Sequence, residues 1–175
     1  MNIALPWIAG ALVVFWLVGV HNRLLRLRAA AVDARAVFER TLRALIAVAS
    51  EAVSSAKASE AICSALEAAA LALEAGLKSY KAPRRFFWSP QERADVGALW
   101  ERLQQAWLAY AVAAEGVEEP AVLQALRDRW HAADTQAPLD RSAANLTIAD
   151  YQAALSQAPA AWVSRLMGFR WMALL

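Results

Sequence analysis

Few residues of this chain have the types and spacing that chemistry asks for, and each has a plainer structural reading beside it. Asp128-Arg129-Trp130-His131 sets a carboxylate and an imidazole three residues apart on one face of a helix. Di-metal bundles use that pattern twice, with two further carboxylates, whereas the other histidine here, His21, directly follows an apolar run. A surface pair is the ordinary outcome, and no metal is expected. Ser54-Ser55-Ala56-Lys57 has the Ser-x-x-Lys spacing of acyl-enzyme serine hydrolases, but their companion motifs are absent and a helix terminus explains the residues better. Trp100 and Trp107, one heptad apart, offer a stacking platform for a ligand, or simply core. No glycine-rich phosphate loop, zinc-type cysteine spacing or Ser/His/Asp order occurs, so no cofactor, small-molecule substrate or catalysis is expected.

The elements that must position any site begin at the chain's first residues. Met1 to Asn22 carry no charge, Ile3 to Val20 are almost wholly apolar, and Arg23, Arg26 and Arg28 follow within two helical turns. About 18 apolar residues suffice to cross the ~30 Å hydrocarbon core as a helix. A cleaved signal peptide places its charges before the apolar run; here they come after it. A retained single-pass anchor is therefore expected over residues 1–21, with Pro6 in a first turn that tolerates it and Trp7 and Trp16 toward the interfaces. Because Arg23, Arg26, Arg28 and Arg35 follow the span and no Lys or Arg precedes it, the N-terminus is expected outside and the rest of the chain in the cytoplasm.

Composition narrows the remainder. The 175 residues are 59% hydrophobic, rich in alanine, with six glycines and six prolines, which favours an all-α bundle over a sheet. The single cysteine, Cys63, excludes an intrachain disulfide. A net charge of +2, with the basic residues gathered beside the span, argues against nucleic acid and for contact with lipid headgroups.

Leu24, Ala31, Phe38, Leu45 and Ala52 recur every seven residues, with Leu27, Ala34, Leu42 and Ala49 interleaved. They predict a first helix continuous with the anchor and weakening at Ser54-Ser55. A second helix is expected over 59–80, from Ile62, Leu66, Ala69, Leu73, Leu77 and Tyr80. Lys81 to Trp88 reads as a loop whose aromatics cap the bundle, or form a patch that docks a partner or touches the membrane. Ser89-Pro90-Gln91-Glu92 is a capping box opening a third helix with Val96, Leu99, Trp100, Leu103, Trp107 and Tyr110 on one face, stopping by Gly116. A fourth begins at Glu119-Pro120, is kinked or broken at Pro138 and ends at Pro159.

Four helices with short connections imply an up-and-down antiparallel bundle over residues 22–159, its first and last helices long. The last then ends where the first began, returning the amphipathic tail 160–175 to the membrane surface. There Trp162, Phe169 and Trp171 would bury their rings and Arg165 and Arg170 would meet phosphates.

These residues resemble the LemA family, bacterial single-span proteins with a helical-bundle domain. The family's opening signature is similar to His21-Asn22, Leu24-Leu25, Arg28, Ala34-Arg35-Ala36, Glu39 and Thr41-Leu42-Arg43, without a gap. Its later motifs resemble Arg141, Ala144-Asn145, Tyr151-Gln152, Pro159 and Gly168-Phe169-Arg170, again in register. The family's Asp-Leu-Ile-Pro-Asn-Leu-Val is not reproduced: Ala44-Leu45-Ile46-Ala47-Val48-Ala49 lacks the proline and both polar residues. The resemblance implies a bacterial cytoplasmic membrane and an architecture more than an activity.

Asn22, Arg28, Arg141 and Asn145 are the polar residues carried by both motif ends. They are expected to hydrogen-bond across the seam of the first and last helices, or, through Arg28 with Arg141, to bind an anion or headgroup. Two functional classes follow: a non-enzymatic membrane scaffold or adaptor that binds a protein partner or itself, and an accessory or regulatory subunit of a membrane enzyme such as a protease.

Overall fold

The computed structural model describes residues 4–81, 95–157, 161, 163–164, 168–169, 171–172 and 174–175. The chain is all-helical: α1 spans Ala4–Ser55, α2 Glu60–Lys81, α3 Val96–Ala113 and α4 Pro120–Ser156, and no strand occurs among the described residues. The first helix is the long, apolar one. It stops where the two serines turn their hydroxyls back onto it: Ser54 Oγ and Ser55 Oγ both donate to the Glu51 carbonyl, at 2.8 and 2.9 Å. A serine hydroxyl competes with the backbone in this way and so favours a helix end. The Ser54-x-x-Lys57 spacing thus belongs to a helix terminus, as the sequence suggested.

The described part of the third helix opens beside Asp95. Asp95 is its N-cap, in extended conformation, and its Oδ1 accepts from the N–H groups of Gly97 and Ala98 at 3.0 and 3.2 Å. A carboxylate that satisfies two first-turn donors beside the positive end of the helix dipole is a strong start. The Ser89-Pro90-Gln91-Glu92 capping box and the aromatic run to Trp88 lie outside the described residues. Nor is the fourth helix broken: α4 runs through Pro138. The proline forfeits one intrahelical bond, and a side-chain bond from Gln136 Nε2 to Asp140 Oδ1, 2.8 Å, brackets it.

The chain divides into two compact units, one of Met1–Ala36 with Arg141–Leu175, the other of Val37–Asp140. The apolar span 1–21 and the tail 160–175 both fall in the first.

In the unit 37–140, the α1 stripe Phe38, Leu42, Leu45, Ala49 and Ala52 is buried with Leu66, Leu73 and Leu77 of α2, Leu103, Trp107 and Tyr110 of α3, and Leu126 and Trp130 of α4. Helices α2 and α3 pack on one another. Polar groups pair between elements: Thr41 Oγ1 with Asp140 Oδ2 at 2.5 Å, Arg129 Nη1 with Glu51 Oε2 at 2.8 Å, and Gln104 Nε2 with Asp134 Oδ1 at 2.7 Å. Arg127 Nη2 closes the end of α3, reaching the Ala111 carbonyl at 2.8 Å and Glu115 Oε1 at 2.6 Å.

In the other unit, Leu24 and Ala31 of α1 meet Ile148, Tyr151, Ala154 and Leu155 of α4 in one apolar cluster, with Val20, Leu27, Phe169, Met172 and Leu175 packed against it. On the N-terminal side of that cluster, the described side chains of α1 are largely exposed. Trp7 is 77% exposed and Phe15 76%, and Ile8, Leu12, Val13, Val14, Trp16 and Val18 are also exposed. These residues fall on every side of the helix, so no single apolar stripe accounts for them.

Candidate functional site

The seam residues divide into two pairs. Asn22 and Arg28 are exposed on α1, and among the described residues neither hydrogen-bonds to Arg141 or Asn145. The Arg28 charge acts instead on Tyr151, a fully buried phenol: burial pushes the Tyr151 hydroxyl above its usual range, and Arg28 partly offsets this by favouring the phenolate. Arg141 and Asn145 turn to the chain's last described residue. Arg141 Nε donates to the Leu175 main-chain oxygen at 3.0 Å, Asn145 Nδ2 donates to the same oxygen at 3.3 Å, and Leu175 N–H donates to Asn145 Oδ1 at 2.8 Å. Gln152 Nε2 donates to the Met172 carbonyl.

A turn at Gly168 leads into the described tail residues. Gly168 has φ +72°, and Phe169 N–H donates to the Ser164 carbonyl at 2.9 Å. Glycine stands at a positive φ where an L side chain would be strained. Phe169 then lies edge-on to His21, ring centroids 5.5 Å apart and planes at 66°. Phe169 is half-buried against the protein, while Trp171 is 62% exposed. Of the tail residues read as membrane-facing, Trp162, Arg165 and Arg170 lie outside the described residues.

Within this unit, the described tail residues therefore meet α1 at His21 and α4 at Arg141, Asn145 and Gln152. His21, in the sequence only the end of the apolar run and the start of the family-like signature, receives Phe169 on its ring, and its Nδ1 is buried without a hydrogen-bond partner. Leaving a buried polar group unpaired costs about 1–3 kcal/mol. Gln152 enters the sequence only in the family-like Tyr151-Gln152 pair, and Leu175 only as part of the tail 160–175. The available signal was positional: 141, 145 and 152 fall on one face of α4, at helical spacings of four and seven.

Glu39, Thr41 and Arg43 of the signature lie in the unit 37–140. Glu39 and Asp140 are buried carboxylates; Arg43 Nη2 donates to Glu39 Oε2 at 3.0 Å, and Thr41 and Gln136 donate to the two oxygens of Asp140. Burial of charge is tolerated when it is hydrogen-bonded in this way. Asp128 and His131 are both exposed, and Asp128 Oδ1 accepts from Gln124 Nε2 at 2.7 Å. Trp100 and Trp107 do not form a shared platform. Trp107 stacks on Trp130 at 4.4 Å and 7°, and Trp100 lies edge-on to Phe38. An open cleft of about 370 Å³ between α3 and α4 is lined by Glu101, Gln104, Gln105, Leu108, Trp130 and Asp134. Two of these, Gln104 and Asp134, are already bonded to each other.

Tyr110 makes a second buried phenol. Its hydroxyl donates to the Ala52 carbonyl at 3.3 Å, and burial, then Glu118, then Cys63 hold its ionisation above the ordinary value of 10.0. Both tyrosines therefore keep their protons in the folded chain at pH values where the unfolded chain loses them. Their contribution is fully present below pH 10 and is lost as pH rises from there through the raised folded values. Stability measured by urea titration is expected to show a downward slope above pH 10 that Tyr110→Phe with Tyr151→Phe makes shallower.

Compared with known protein families, with curated proteins and with solved structures, the chain matches none.

Proposed function

We propose that this chain is a membrane-anchored, non-enzymatic helical scaffold or adaptor of LemA type, held in a bacterial cytoplasmic membrane by the first part of α1. Its N-terminus lies outside and its other helices in the cytoplasm. The observation that carries this reading is α1 itself. Among the described residues it is long and apolar enough to cross a membrane, and its apolar side chains are exposed around the whole circumference from Trp7 to Val18. A surface of that size and evenness needs a lipid solvent. The arginines that follow it set the orientation.

An up-and-down antiparallel bundle is the arrangement we assign to the helices. The residue pairs in the unit 37–140 support it: contacts from α1 to α4 run from Thr41 with Asp140 to Glu51 with Arg129, and those from α3 to α4 from Gln104 with Asp134 to Trp107 with Trp130. In each series one number rises as the other falls, whereas from α1 to α3 both rise, Phe38 with Trp100 and Ala52 with Tyr110.

Purifying the full chain from its native membrane in mild detergent tests the function. A protein partner in fixed stoichiometry, or self-association, is the expected result. An enzyme as that stoichiometric partner moves the assignment to an accessory subunit, and a monomer recovered alone from the soluble fraction refutes both.

A further inference from the structure

Arg23 and Arg26 stand exposed on α1 with no ion pair among the described residues. Their own helix cannot supply one. The positions one turn to either side, Gly19, Val20, Asn22, Leu27, Ala29 and Ala30, hold no carboxylate, and no Asp or Glu precedes Asp33 in the chain. Arg43 and Lys78, by contrast, reach Glu39 and Glu74 one turn away on their own helices. The unit of Met1–Ala36 with Arg141–Leu175 carries seven arginines against two carboxylates, Asp33 and Asp150, so its field draws anions.

The two arginines also end a stripe. Leu12, Trp16, Gly19, Arg23 and Arg26 follow one another at alternating steps of four and three residues, which is one face of a helix. All five are exposed, while Leu24 and Ala31 carry the contact with α4. Gly19 leaves a notch between the indole and the guanidinium groups, with nothing within 4 Å of where its Cβ would stand. Trp16 lies about 10 Å along the axis from Arg23. A headgroup layer is about 5–8 Å thick, so the stripe passes from hydrocarbon to phosphate.

We propose that this face of α1 seats one anionic phospholipid, its phosphate at Arg23 and Arg26, its glycerol backbone over Gly19 and an acyl chain along Trp16 and Leu12. Guanidinium groups take phosphate oxygens through paired N–H donors, and an indole is at home at the interface. A zwitterionic lipid offers the same phosphate, but its own cation competes for it, so the unpaired arginines select the anionic headgroup. The proposal deepens the membrane reading and rests on it, since a bilayer around α1 is what presents a lipid to this face.

The test uses the full chain carrying Trp7→Phe, which leaves Trp16 as the tryptophan of the apolar run, in vesicles of phosphatidylcholine with a minor fraction of phosphatidylglycerol. Bromine is placed on the acyl chains of the phosphatidylglycerol or of an equal amount of the phosphatidylcholine, and quenching of fluorescence reports which lipid lies against Trp16. A chain with Trp16→Phe added supplies the signal of the other tryptophans. Phosphatidylglycerol is expected to be preferred about tenfold or more, since each arginine near a membrane surface is worth about fivefold toward an anionic lipid. Arg23→Gln with Arg26→Gln is expected to bring the preference to about twofold or less, with quenching by phosphatidylcholine unchanged. Gly19→Leu keeps both charges, fills the notch and is expected to reduce the preference; an unchanged preference there overturns the seat. Equal quenching by the two lipids, or a preference that survives the loss of both arginines, overturns the proposal and leaves the anchor standing. Quenching by neither lipid removes the anchor and the proposal with it.

Discussion

Arginine in place of both Val13 and Phe15 is expected to release the chain from membranes into the soluble fraction. Each arginine near the middle of a spanning helix costs about 2.5–3.5 kcal/mol on insertion scales, so the pair costs about 5–7 kcal/mol. The apolar residues that remain in the span each return only about 0.3–0.6 kcal/mol, and the change reverses the balance. Inside the protein nothing opposes it: Val13 is 55% exposed and Phe15 76%, so neither arginine displaces a core contact. Leu108→Arg with Val112→Arg is the matched control, since those α3 residues are as exposed, at 64% and 71%. Carbonate extraction of membranes separates the cases. The first variant is expected in the supernatant and the control in the pellet with wild type; a pelleted first variant would remove the anchor from the proposed function.

Much of the helical frame was legible because burial and period are local. The heptad positions Leu24, Ala31, Phe38, Leu45 and Ala52 are all buried, and Ser54-Ser55 ends α1 for the hydroxyl reason their type implies. Caps were less legible: Asp95 caps α3 with no Glu or Gln three residues on to mark a capping box. At Pro138 the rule that a proline breaks a helix met a segment already bound on either side, by the Gln136–Asp140 and Thr41–Asp140 bonds, and the helix continues. The segment ending at Leu175 was the least legible. Its aromatics and arginines suggest a membrane surface by composition, whereas its attachment runs through its own main chain, which has no sequence signature. Of the four seam residues, Arg141 and Asn145 were found by motif and their partner was not, since a side-chain amide that reads a backbone has no complementary residue to look for.

The second large effect is expected at Trp107. It is 4% exposed, stacked on Trp130 at 4.4 Å and tilted against Tyr110 at 5.7 Å. Truncating a buried tryptophan to alanine costs about 3–5 kcal/mol, a large fraction of the roughly 5–15 kcal/mol that stabilises a domain. Thermal unfolding followed by circular dichroism is expected to show Trp107→Ala as the lower-melting protein, with Trp130→Ala close to it. If the rings act mainly on each other, the double variant loses less than the sum, by about 0.5–1.5 kcal/mol, the usual worth of an aromatic pair beyond its buried area. The same measurement separates core from binding platform. A platform is built to be uncovered, so removing its ring would leave the melting temperature in place and abolish binding alone. With Trp130 itself only 6% exposed, the two rings have already spent their faces on one another. Their loss should therefore appear in stability.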